Sequence, residues 1–122
     1  MSLLAILAAF WHRSNIQAAE FDPSPRLRFA ASLLERGDAE GASAILAELD
    51  PDDEAFEPHR SEYRLLLADC LAERHAPLES AGPDVASRVA DAYLAAVSAD
   101  ATLSELQRRH LAVSEANAGL LV

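Results

Sequence analysis

The side chains with the widest chemical repertoire here are four histidines, His12, His59, His75 and His110, one cysteine, Cys70, and an acidic run from Glu48 to Glu57. Metal sites on helices place two ligands one turn apart, as a Glu three residues ahead of a His or a second His at i+4. None of the four histidines has either neighbour. Oxygen-rich runs can hold calcium, but an EF-hand loop counted from Asp50 needs Gly at its sixth position and Glu at its twelfth. Those positions are Ala55 and Ser61. Cys70 and His75 are five residues apart and point in different directions along a helix, and a thiol in a leucine-rich stripe behaves as a small hydrophobe. The glycines are scattered, so no phosphate-cradling loop forms, and no nucleophile elbow occurs. An enzyme would need His59, His75, Glu62 and their neighbours to converge in one cleft. The expectation is no catalytic, cofactor-binding or metal-ligating residue, with His110 a hydrogen-bonded histidine at the edge of the core.

What remains is chemistry of association. Leu3 to Trp11 is an apolar run without a charge, followed by His12 and Arg13. On a helix Leu3, Leu7 and Phe10 share a line, and Trp11 points about 100° from Phe10, so one core face rarely hides both aromatics. Exposed Trp is typical of binding hot spots. Leu3, Leu7, Phe10 and Trp11 are therefore candidate partner-binding residues. The same run also reads as a core helix, a membrane-surface helix or an oligomer-forming helix. It is too short to span a bilayer, and Gln17-Ala18-Ala19 makes a poor signal-cleavage site. The acidic residues Asp50, Asp52, Asp53, Glu54 and Glu57 are a second candidate surface, suited to a basic partner, and the alternative is a solvated turn.

A net charge of -10 repels phosphate backbones, which argues against DNA or RNA as a partner. A single cysteine cannot close an internal disulfide, so the cytoplasm is the expected compartment.

Helices must position these groups. The chain is 51% hydrophobic and 25% charged, as globular domains are, and its 122 residues suffice for one domain. It holds only four glycines and no strict apolar/polar alternation, so no β-sheet is expected. An N-terminal apolar helix within residues 1–20 precedes a helical domain over residues 21–122. Ser24 is placed to cap a helix that Pro25 opens, with Leu27, Ala30, Leu33 and Leu34 inward. Gly37 ends it, and Asp38 caps a helix to about Leu49 with Ala42, Ile45, Leu46 and Leu49 inward. A longer helix from Pro58 to His75 carries Tyr63, Leu66, Leu67, Cys70 and Leu71 at helical spacing. Pro83 opens another, with Val85, Val89, Ala92, Tyr93 and Ala96 on one side and an Asp84–Arg88 pair on the other. Thr102 to Glu105 fits the capping box, and Leu103, Leu106, His110, Val113 and Ala116 form the inward line of the last helix. The fold class is all-α: five to six antiparallel helices in a hairpin stack or bundle.

One stretch, Arg26 to Asp53, resembles a tetratricopeptide-type repeat. Phe29-Ala30 with Leu33 is similar to the family's first helix, Glu35-Arg36-Gly37-Asp38 to its turn, Ala42 to the small residue of the second helix, and Leu49 to Asp53 to the proline-bearing close. Pro51 comes three residues sooner than the family spacing, and a second copy is not visible. The resemblance implies a concave groove that receives a peptide or helix of a partner. The sequence thus points to a non-enzymatic helical interaction module, an adaptor, chaperone or assembly subunit. The alternatives are an acidic inhibitor, immunity or nucleic-acid-mimic protein and, behind that, a small helical enzyme.

Overall fold

Short-range signals make the first helix pair. In the computed structural model, which describes residues 22–119, helix α1 spans Ser24–Glu35 and α2 spans Ala39–Ala47. Gly37 between them has φ +82°, a left-handed conformation that costs glycine nothing and an L side chain about 1 kcal/mol or more. Asp38 then accepts a 2.8 Å hydrogen bond from the Gly41 amide, satisfying one donor of the first turn of α2. The start of α1 differs from expectation. Ser24 is its first residue and not its cap; the Asp22 carboxylate accepts from the Ser24 amide at 3.0 Å, and the Ser24 hydroxyl lies 3.3 Å from His59 Nε2. That bond from the Ser24 amide is the largest influence holding the Asp22 carboxyl below its ordinary range.

The chain then makes a 3-10 turn, Glu54–His59, before α3, Arg60–Arg74. Pro58 therefore sits inside the 3-10 turn, and the α-helix begins after it. A second 3-10 turn, Leu78–Ser80, leads to α4, Pro83–Ser98, and α5, Glu105–Asn117, closes the described residues. Among these residues there are five α-helices, no strand, and no helix long and apolar enough to cross a membrane. The expected helix within residues 1–20 lies outside the described residues.

Each helix packs on the next in sequence, and α1 also packs on α3. The core has two clusters, and α3 belongs to both. Leu27 and Ala30 of α1, Ala42 and Leu46 of α2, Phe56, and Tyr63, Leu66 and Cys70 of α3 form the first. Phe56 meets Tyr63 edge to face, with ring centroids 5.0 Å apart. Ala68 and Ala72 of α3, Leu78, and Val89 and Tyr93 of α4 form the second, with Leu103, Leu111 and Val113 against it. The stripe read for α3 was thus one of two buried faces. Alanines at 68, 72, 86 and 90, all buried, leave little side-chain bulk where α3 and α4 pack.

Two local expectations for α5 shift. The capping box is formed by Ser104 and Gln107, two residues later than Thr102 and Glu105: the Gln107 amide donates to Ser104 Oγ at 3.1 Å and the Ser104 amide to Gln107 Oε1 at 2.8 Å. The helix is also rotated. Leu106 is 57% exposed and Ala116 is exposed, while Leu103, Gln107, Leu111 and Ser114 follow the inward side. Asp84 and Arg88 do not pair, and the ion pairs among the described residues are Arg26–Glu48, His59–Asp22, Arg60–Glu57 and Arg109–Glu105.

Candidate functional site

Asp69, which the sequence did not single out, accepts hydrogen bonds from two other helices. It sits on α3 between Ala68, which enters one core cluster, and Cys70, which enters the other, so its side chain emerges along the seam between them. Tyr93 of α4 donates its hydroxyl proton to Asp69 Oδ1 at 2.7 Å. Gln107 of α5 donates Nε2–H to both carboxylate oxygens, at 3.2 and 2.9 Å. The same amide's oxygen completes the helix cap. One side chain therefore finishes α5 locally and ties it to α3.

Tyr93 has one further contact, His110 Nδ1 at 3.3 Å. Its own proton goes to Asp69, so in that contact the phenol oxygen accepts and Nδ1 carries the hydrogen. In that tautomer a neutral ring would have its lone pair at Nε2. Burial pushes the Tyr93 hydroxyl far above the usual tyrosine range, and the neighbouring Asp69 charge and its hydrogen bond push the same way. Tyr93 is a fixed neutral donor, and Asp69 is occupied by donors from α4 and α5.

This network lies beside a groove of about 590 Å3. Residues of α1, α3 and α5 line it, together with the 76–79 segment after α3. Its apolar wall includes Leu34, Leu78, Leu106 and Val113; Asp69, Gln107 and His110 form its polar part, and Glu35, Glu73, Glu79 and Arg109 complete the charged lining. The Ser104 hydroxyl in the lining is engaged as the cap of α5. The arrangement places His110 and Gln107 between an apolar wall and a mostly acidic edge.

No family model matches this chain, and no curated protein or solved structure is significantly similar to it. The site is therefore read from its own geometry.

The sequence candidates fall elsewhere. Leu3, Leu7, Phe10 and Trp11 lie outside the described residues. Asp50, Asp52, Glu54 and Glu57 are exposed in the connection from α2 to α3, and Asp53 is half-buried. Much of this acidity builds the turn: Asp50 accepts from the Asp52 amide at 3.0 Å, Asp53 from the Ala55 amide at 2.9 Å, and Glu57 from Arg60 Nε at 3.2 Å. His59 and His75 flank the fifteen residues of α3, about 24 Å apart along its axis, so they do not share a cleft. Cys70 is buried in the first cluster, and that burial pushes its thiol up. Among the described residues, no three His, Cys, Asp or Glu side chains gather as a metal site.

His110 is half-buried and bonded to Tyr93, as its place at the core edge suggested. The available signal for the rest was an Asp in the middle of an otherwise apolar helical stripe. Its partners, 24 and 38 residues away in sequence, had no local signature.

Proposed function

We propose that this chain is a helical protein-binding module that receives a segment of a partner protein in the groove between α1, α3 and α5. The observation that carries this reading is the groove itself: alternate helices of a sequential stack share one concave, largely apolar face, and Leu106 is 57% exposed there. There it extends an apolar wall with Leu34, Leu78 and Val113, and concave, mostly apolar surfaces with a few polar groups are where ligands and partners dock. The tetratricopeptide-like reading of Arg26 to Asp53 supports it further, since Ala30 and Ala42 are fully buried in one cluster beside the left-handed Gly37. Roles as an adaptor, chaperone or assembly subunit all fit such a face. A cytoplasmic location fits the single, buried, unpaired thiol.

The test compares partner capture from the native source by the full chain, by Leu106→Asp and by a variant with Phe10 and Trp11 both changed to Ala. Loss of a specific partner with Leu106→Asp alone, at unchanged helicity, supports the groove. Loss only with the aromatic variant moves the interface to the N-terminal residues. Capture that survives both changes but fades steeply with salt transfers the function to the acidic loop around Asp52.

A further inference from the structure

We infer that the groove is built for a basic amphipathic segment, one whose apolar side meets Leu106, Val113 and Leu78 and whose Lys or Arg residues meet Glu35 and Glu73. This rests on the groove reading above and adds the chemistry of the occupant. Four acidic residues, Glu35, Asp69, Glu73 and Glu79, line the groove against one arginine, Arg109. Arg109 already faces Glu105 at 3.7 Å, and Asp69 is satisfied internally, whereas Glu35, Glu73 and Glu79 are exposed and enter no ion pair among the described residues.

Glu35 and Glu73 stand at the same edge. A methyl group placed on Gly37, two residues after Glu35, would lie 3.7 Å from Glu73 Oε1, so the end of α1 and the end of α3 run side by side there. The last turn of α1 carries no basic residue, and Arg36 follows as its cap. His110 Nε2 adds one more acceptor and no positive charge while the ring is neutral. Charge is also segregated across the molecule. A smaller depression of about 300 Å3, lined by α2, α3 and α4, holds Arg64 and Arg74 and no acid. An acidic residue in an occupant would be repelled by the groove, so it selects sign as well as shape.

The experiment uses the full chain and two synthetic peptides of one amphipathic helical pattern, leucine with lysine and leucine with glutamate. Binding is read by fluorescence anisotropy at about 150 mM salt, where long-range attraction is screened, and the site by NMR shifts of the Leu106 and Val113 methyls. The lysine peptide is expected to bind and to shift those methyls. The double variant E35Q/E73Q should bind it roughly twofold to thirtyfold more weakly, the range for two exposed charge pairs. D84N/D91N makes the same charge change at exposed positions of α4 outside the groove and should leave affinity unchanged. Equal weakening by both variants would mean diffuse attraction and overturn the inference. Equal binding of the glutamate peptide at the same methyls would overturn it while leaving the groove as the docking face. If neither peptide moves those methyls, both the inference and the groove reading fall. Self-association in sedimentation velocity that R64Q/R74Q abolishes would make a second copy the occupant and also overturn it.

Discussion

Tyr93 on α4 and Asp69 on α3 are joined by a 2.7 Å hydrogen bond, and the Tyr93 side chain that makes it is fully buried. The bond is charge-assisted, and its donor has no route to water, so the two helices are fixed in register by one proton.

Tyr93→Phe keeps the ring and removes that proton. It should lower unfolding stability by about 1.5–3 kcal/mol, the usual range for a bond to a charged group. Urea denaturation followed by circular dichroism measures it; a loss within error would mean that Asp69 is held by Gln107 alone.

Alkaline pH tests the same group. The Tyr93 hydroxyl is raised from an ordinary value of 10.0 in the folded chain, so above about pH 10 the unfolded chain releases a proton that the folded chain keeps. Its contribution is complete below that value and declines as pH rises. Tyr63 and Cys70 are raised too and act in the same direction. Urea midpoints between about pH 8 and 11 should fall for the native chain and fall less steeply for Tyr93→Phe. Parallel slopes would contradict a protected Tyr93.

The position of the α5 cap separates two registers. Ser104→Ala should cost about 1 kcal/mol, and Gln107→Ala more, because it opens both the capping box and the tie to Asp69. Thr102→Ala should change stability by under about 0.5 kcal/mol. The reverse ranking would place the cap where sequence spacing alone puts it.

Ser114 offers a gain. Its hydroxyl is fully buried on α5 with no hydrogen-bond partner among the described residues. Ser114→Ala should stabilise by about 1 kcal/mol, through relief of that desolvation and better helix propensity. Thermal unfolding would show a higher midpoint, and a lower one would reveal a partner for the hydroxyl.

Glycines provide a contrasting pair. Gly37→Ala should cost about 1 kcal/mol or more at φ +82°, whereas Gly82→Ser at the cap of α4, where φ is -69° and no atom crowds the new side chain, should gain a few tenths. Denaturation of the two variants side by side checks the signs.

The sequence by itself determined several helix boundaries whose cause is local, although the cap read at Ser24 and the start read at Pro58 fall one and two residues away. Gly37, Asp38 and Pro83 act through their own backbone or the next turn, and the structure has helix boundaries at each. It determined a buried stripe for each of α1 to α4, since Leu27, Ala42, Leu46, Tyr63, Leu66, Val89 and Tyr93 are all buried, but not for α5. Spacing put the cap of α5 at Thr102 with Glu105 as its partner, but the structure caps at Ser104, where Gln107 closes the box and also reaches Asp69. The tertiary structure decided that α3 is buried on two sides, that α5 turns Leu106 outward, and that Asp69, Tyr93, Gln107 and His110 meet. Periodicity along one helix reports which side prefers to leave water, but which polar side chains then face each other depends on how helices far apart in sequence pack, and no local spacing carries that information.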